Sequence, residues 1–314
     1  MLETPREIVC TLFEESYGIG VAALVNSLAA AGYKGKVYAG FRGALPSWAK
    51  DVQARGGCVY ESANELLLEF VLLKTDWQLA NYKPEFMLYI METLERQAPG
   101  IIYFDPDITV RCPWMFFQQW LEFGLMVCED ITSPMHQTHP RRMMWRRLFP
   151  DLLAEECSAV SDGYINSGFI GISRHQLNFL RTWSTVVERA SPIAGGVTAW
   201  LGHNPRTPFS PFSALDQDAL NIAVMSTSAP ISVIGPEGMD FKSLGYVMSH
   251  AIGPAKPWDG KFFRRALAGG APSAADRSFV KYVRAGPLKP VSDLHLTLMR
   301  LDLLMAKIWS KLIH

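Results

Sequence analysis

The sequence predicts an α/β protein with a mostly parallel central sheet and helices on its faces. Two observations carry this. Strand-like apolar runs alternate with helix-like segments through the first hundred residues. Two later apolar runs, "IIYFDPD" and "FGLMVCED", each end in two acids, and open α/β sheets bind ligands beyond the carboxyl ends of their strands. A length of 314 residues suits one large α/β domain or two small ones.

The first strand is "EIVCTLF". The segment "YGIGVAALVNSLAAAG" follows as a helix, with small and apolar residues at helical spacing and Gly32 as its stop. "GKVYAGF" is a second strand, "PSWAKDVQARGG" a short helix ending in glycines, and "CVYESA" a third strand. "YKPEFMLYIMETLERQ" is an amphipathic helix that leads into "IIYFDPDITV". Residues 131–162 are irregular and rich in His, Arg, Met and Trp. "YINSGFIGISR" is a strand with a break at Asn-Ser-Gly, and "ALDQDALNIAVM" is a helix with Asp216 near its start. The reading divides the chain into a catalytic domain over 1–290 and a C-terminal amphipathic helix over 291–314.

Composition excludes several classes. The chain is 49% hydrophobic and 19% charged, with 30 basic and 30 acidic residues, so charge balance gives no reason to expect a nucleic-acid partner. Five cysteines without a CxxC pair argue against a disulfide framework or zinc knuckle and for a reducing, cytoplasmic compartment. The charged start "MLETPREIVC" lacks the apolar core of a signal peptide. The run "ELLLEFVLL" is too short to span a bilayer.

In extended chain, residues i and i+2 point to one face, so Asp105 and Asp107 converge. Two carboxylates that close are costly unless something positive lies between them, and a hard divalent cation is the usual solution. Asp-Pro-Asp is also ordinary turn chemistry, so the motif needs partners. "SHAIGPAKPW" offers them: His250 as a metal ligand, Gly253 for close backbone approach to an anion, Lys256 as a point charge for phosphate, and Pro254 and Pro257 as stiffeners. "DQDALN" (216–221) reads either as helix capping or as a polar constellation, and "NSGFIG" (166–171) as a bulged strand or a site.

Taken in order, the strand into Asp-x-Asp, Asn-Ser-Gly, Asp-Gln-Asp-x-Leu-Asn and His-x-x-Gly-Pro-x-Lys-Pro-Trp resemble the retaining GT-A glycosyltransferases of family 8, which include glycogenin and the bacterial lipooligosaccharide galactosyltransferase. The resemblance covers about residues 8–260. It implies a GT-A, Rossmann-like nucleotide-diphospho-sugar transferase fold and a UDP-sugar donor. It also implies a Mn²⁺ (or Mg²⁺) ion held by Asp105, Asp107 and His250. It makes Cys10, Thr11 and Tyr17 candidates for uracil and ribose contacts and places Lys83 and Asn166 by the donor. Asp216 and Gln217 match the pair on the donor sugar, with Gln217 near the anomeric carbon, and Glu129 and Asp130 stand where an acid often touches the sugar. Pro106 between the aspartates departs from the pattern but leaves both carboxylates available.

The reaction implied moves a glycosyl group to a hydroxyl of a glycan or glycolipid acceptor. Retention by double displacement needs a carboxylate nucleophile, for which Asp218 and Asp130 are the candidates. A same-face internal return needs none, and is favoured because Gln217 is not a plausible nucleophile. One competing reading is a HAD-like phosphatase using Asp105 and Asp107; another is a non-catalytic nucleotide-sugar-binding protein. About a hundred residues precede the Asp-x-Asp strand and no later paired-acid motif follows, which speaks against the phosphatase.

Two segments stand apart. "HQTHPRRMMWRRLF" within 131–162 reads equally as a solvated basic helix or as a lid over an anionic acceptor. In 291–314, Leu294, Leu298, Leu301, Met305, Ile308 and Leu312 form one apolar stripe, with Arg300, Lys307, Lys311 and His314 on another face and Trp309 near the end. The stripe docks on the protein's own body or a second subunit, or else lies on the inner face of a cell membrane.

Overall fold

The computed structural model describes residues 6–60, 66–153, 162–198, 210–242 and 245–313. In chain order its elements begin with β1 (Ile8–Glu14), α1 (Gly18–Ala30), β2 (Gly35–Arg42), α2 (Ser47–Ala54), β3 (Cys58–Tyr60) and β4 (Leu66–Leu72). Next come α3 (Lys83–Tyr89), β5 (Gly100–Phe104), β6 (Ile108–Val110), α4 (Trp114–Leu121), β7 (Leu125–Glu129), α5 (Pro140–Leu148) and β8 (Ile165–Ser173). The chain continues through α6 (Leu177–Ala194), α7 (Leu215–Ser226), β9 (Ile231–Ile234) and β10 (Met248–His250), and ends with α8 (Phe262–Leu267), α9 (Ala274–Tyr282) and α10 (Asp293–Ile313).

The elements fall into two compact units. One comprises residues up to 12, 73–103 and 117–236; the other comprises 13–72, 104–116 and 237–314. In the first unit the strand order is β1-β5-β8-β7-β9. β1 and β5 run parallel, with Cys10 opposite Tyr103, and β7 runs parallel to β9 and antiparallel to β8. β1, β5, β7 and β8 are buried along nearly their whole length because they are covered on both faces, whereas β9 is half-buried to exposed. Trp183, Phe117 and Phe169 are fully buried there, and Trp120 stacks on Phe169 at 5.3 Å.

In the second unit β2 and β4 run parallel from Gly35 opposite Leu66 to Phe41 opposite Leu72, and β3 pairs antiparallel with β4. The run "ELLLEFVLL" is therefore largely strand β4, with Leu66 and Leu68 buried and Leu72 exposed. β6 and β10 form a separate antiparallel pair. α1 is buried almost all round, as its lack of a polar stripe predicts. Gly32, at φ +87°, stops it.

Two other elements differ from the sequence reading. β8 is unbroken from Ile165 through Ser173, and the irregularity lies in its pairing, between Val127 and Glu129. α3 is short and passes into a π-helical turn over Ile90–Leu94, with Phe86, Met87, Leu88, Ile90 and Met91 all buried.

A candidate metal centre and a buried polar cluster

β5 ends at Phe104, and the Asp-Pro-Asp turn carries the chain into β6, closed by the Ile108 N–H donating to the Asp105 carbonyl at 3.0 Å. β6 pairs with β10 so that Ile108 faces His250, and the Ala251 N–H donates to the Asp107 carbonyl at 3.1 Å. Strand register thus brings a histidine from 143 positions later beside the two aspartates. His250 Nε2 lies 3.2 Å from Asp107 Oδ1 and 3.8 Å from Asp105 Oδ2, and one ligand atom from each residue falls within 4.8 Å of the others.

Asp107 Oδ1 is buried and accepts no hydrogen bond, and His250 Nδ1 is buried without a partner. An unfilled carboxylate oxygen aimed at an imidazole nitrogen, with a second carboxylate beside it, fits a hard divalent cation. Burial would raise the Asp107 pKa, but His250 and Lys256 outweigh it and hold the carboxyl well below its usual range, ready to ligate as the anion.

Lys256 Nζ donates to Asp107 Oδ2 at 2.6 Å and to the Ala251 carbonyl at 2.8 Å, and lies 5.6 Å over the Tyr17 ring. Burial works against its charge, yet Asp107 holds its pKa above the ordinary lysine value. The Tyr17 phenol is pushed up by burial and by the two aspartates. Gly253, at φ +91° with open space around its Cα, lets the loop between His250 and Lys256 turn as only glycine readily does.

The sequence reading missed Gly20 and gave Trp258 no role beyond its place at the end of "SHAIGPAKPW". A Cβ on Gly20 would collide with the Pro106 carbonyl and the Trp258 ring. That glycine is what allows α1 to lie against the Asp-Pro-Asp turn. Its signal was the Gly-x-Gly opening α1, which the helical pattern alone did not explain.

The first unit holds a second cluster at the start of α7. Asp216 Oδ2 accepts from Ser167 Oγ at 2.6 Å and pairs with Lys83 Nζ at 3.3 Å. Lys83, buried, also donates to the Ser167 carbonyl at 3.0 Å and lies 5.2 Å over the Tyr103 ring. Gln217 Oε1 accepts from the Ser167 N–H at 3.2 Å. Asp218, wholly buried, accepts from Tyr164 Oη at 2.8 Å and from the backbone N–H groups of Ser213 and Ala214 at 2.6 and 3.2 Å. "DQDALN" is therefore divided. Asp218 folds back to satisfy backbone donors at the helix start, while Asp216 and Gln217 reach β8.

Burial raises the pKa of both Asp218 and Tyr164, each with the other as neighbour. Asn221 bridges α7 to β8 through both halves of its amide, accepting from the Ile165 N–H and donating to its carbonyl, each at 2.8 Å. Asn166 Nδ2 donates to Asp130 Oδ2 at 2.7 Å, and the other Asp130 oxygen accepts from the Thr132 N–H and hydroxyl. Glu129 accepts from Ser133 Oγ at 2.8 Å.

Cys10 and Thr11 sit mid-strand with fully buried side chains, and burial raises the Cys10 thiol well above its usual value. Among the described residues, Cys10, Cys58, Cys112 and Cys128 form no disulfide, and Cys157 lies outside the described residues.

The arginine-rich segment forms α5, whose buried face carries Arg142 and Trp145. Arg142 donates to the Gly163 carbonyl, Trp145 Nε1 to the Pro211 carbonyl at 2.6 Å, and Arg141 to Ser213 Oγ at 2.8 Å. These bonds tie α5 to its own unit. Residues 154–161 of the segment lie outside the described residues.

No protein-family model matches the chain, and no curated protein sequence matches it. Among solved structures, the apo structure of the bifunctional glycosyltransferase WbbM is similar, with a TM-score of 0.55 at 12% identity. The match covers 95% of this chain and 52% of that one, so the chain spans about half the length of that protein. At this identity the likeness concerns the fold: a Rossmann-like α/β glycosyltransferase fold with a mostly parallel sheet and flanking helices.

Proposed function

We propose that this chain is a metal-dependent retaining glycosyltransferase of the family 8 type. It moves a hexose from a UDP-sugar to a hydroxyl of a glycan or glycolipid acceptor at the inner face of a cell membrane. The observation that carries the proposal is the convergence of Asp105, Asp107 and His250 on one point, with Asp107 Oδ1 lacking any other partner, within a glycosyltransferase fold.

Asp105, Asp107 and His250 would hold Mn²⁺ or Mg²⁺, which when bound neutralises charge on the departing nucleoside diphosphate. Lys256 adds a fixed positive charge beside that seat. Gln217, its amide oxygen held by the Ser167 N–H, presents a neutral and immobile group to the sugar. Lys83 and Ser167 fix the Asp216 carboxylate for sugar hydroxyls.

Same-face return is the favoured route. Asp218 and Asp130, the two candidate nucleophiles, already have both oxygens occupied by protein donors. In this route the acceptor O–H proton passes to the leaving diphosphate as the new glycosidic bond forms on the face the diphosphate leaves.

Incubation with UDP-hexoses and Mn²⁺, without acceptor, tests the proposal by slow release of UDP and free sugar. Phosphate release from simple esters, with no UDP release under any metal, would overturn it in favour of the phosphatase.

A further inference from the structure

α10 has two apolar faces, and its own unit covers one of them. Leu296, Met299, Leu303 and Ala306 are buried in a cluster with Ala23 of α1, Phe262 and Ala266 of α8, and Phe279, Val280 and Val283 of α9. Trp309 belongs to this inner side, meeting Phe263 edge-on at 6.2 Å. On the opposite side Leu294, Leu298, Leu301, Met305, Ile308 and Leu312 are all exposed, from 47% to 75%. The stripe visible in the sequence is thus the outward one. An ordered apolar stripe of six large side chains on a described surface is unusual for a face that meets only water.

Charge identifies what covers it. Zero net charge conceals a segregation. From Lys256 to the C-terminus the sequence carries eleven Lys and Arg against four Asp and no Glu, so the remainder holds nineteen basic residues against twenty-six acidic ones. The four acids are all engaged locally. Asp259 accepts from the Lys256 N–H, Asp276 pairs with Arg265, Asp293 pairs with Arg284, and Asp302 accepts from the Phe262 N–H. Arg300, Lys307 and Lys311, all exposed, run along one edge of the outer stripe.

A second copy of this chain meeting the same face would bring like charges together. An anionic bilayer accepts both features, with the apolar face in the acyl boundary and the cations at the phosphates. No described helix is long and apolar enough to cross a membrane, which leaves α10 lying in the interface.

We infer that the outer face of α10 is a docking surface for an anionic lipid bilayer, with the helix in the membrane plane while its inner face stays packed on the protein. The inference deepens the membrane location proposed above and is independent of the glycosyl-transfer chemistry, so binding is measured on the full chain without donor or metal.

Co-sedimentation with phosphatidylcholine vesicles, with and without 30% phosphatidylglycerol, tests it at ~50 mM and ~500 mM salt. Binding is expected only with phosphatidylglycerol and is expected to weaken at high salt. L298S combined with I308S, both at exposed positions, is expected to reduce partitioning at least about tenfold with the melting temperature unchanged. R300Q combined with K307Q and K311Q is expected to reduce it about a hundredfold. Equal binding to neutral vesicles, or no binding to either, overturns the inference. So does a concentration-dependent dimer that L298S/I308S converts to monomer while vesicle binding is absent.

Discussion

Asp107 carries the candidate metal centre because its two oxygens do different things. Oδ2 takes the Lys256 ammonium at 2.6 Å, and Oδ1 is left for whatever cation sits beside His250 Nε2. Asp107→Asn keeps the shape and removes the charge. It is expected to abolish Mn²⁺-dependent stabilisation in a thermal melt and to lower turnover about 100-fold or more; His250→Ala is expected to do the same. A variant that still gains stability from Mn²⁺ would remove that residue from the ligand set. Asn221 is a contrasting case, a residue whose side chain is spent on backbone. Asn221→Ala leaves the Ile165 N–H and carbonyl without partners in a buried strand. The expected cost is about 2–4 kcal/mol, read from chemical denaturation. Little or no loss would mean that β8 is held to α7 by packing alone.

At the scale of elements, α1 packs directly against the candidate metal-binding turn, while α10 supports the helices α8 and α9. α1 reaches the Asp-Pro-Asp turn only because position 20 has no side chain. Gly20→Ala is expected to push the turn away and weaken metal binding. Helix content should be preserved, since alanine is the better helix former; unchanged metal affinity would show that the turn adapts freely. α10 supplies four buried residues to its unit, and Asp302 accepts from the Phe262 and Phe263 N–H groups at 2.6 and 3.2 Å, the first donors of α8. α9, packed in the same cluster, meets the hairpin that carries the candidate metal ligands through Ser278 Oγ and Thr109 Oγ1 at 2.7 Å. Asp302→Ala is expected to cost about 1 kcal/mol. Cutting the chain after Lys289 is expected to yield insoluble protein, because Phe262, Phe279 and Val283 would lose their cover. A soluble, cooperatively melting truncation would show that α8 and α9 pack adequately without α10.

For the whole molecule, the alternation of strand and helix was legible because period-2 and period-3.6 patterns report which faces are covered, and these faces are covered by local neighbours. The Asp-x-Asp pair was legible as two neighbouring carboxylates at a strand end, but not the way they converge: Asp105 and Asp107 lie in a turn closed by the Ile108 N–H on the Asp105 carbonyl, not in extended chain. Other features depend on distant segments. Nothing in "GIGV" says that Pro106 will lie against Gly20. Nothing in the tail says which of two apolar stripes will face inward; steps of four and three fit both, and only the partners Phe262, Phe279 and Ala23 decide it. Donor identity is of this second kind, set by a few polar contacts, so it is best found by measurement on the intact chain. In a thermal-shift panel with Mn²⁺, UDP-hexoses are expected to stabilise the protein by about 2.7 kcal/mol at a hundredfold excess over Kd. GDP- and TDP-sugars are expected to give much smaller shifts. The three buried carboxylates Asp130, Asp216 and Asp218 in the polar cluster outnumber its two cations, Lys83 beside Asp216 and Arg141 at 4.0 Å from Asp218, which also predicts that UDP-glucose or UDP-galactose outperforms a UDP-uronic acid, whose own carboxylate would meet like charge. A uronic acid donor giving the largest shift would mean that the cluster does not face the sugar.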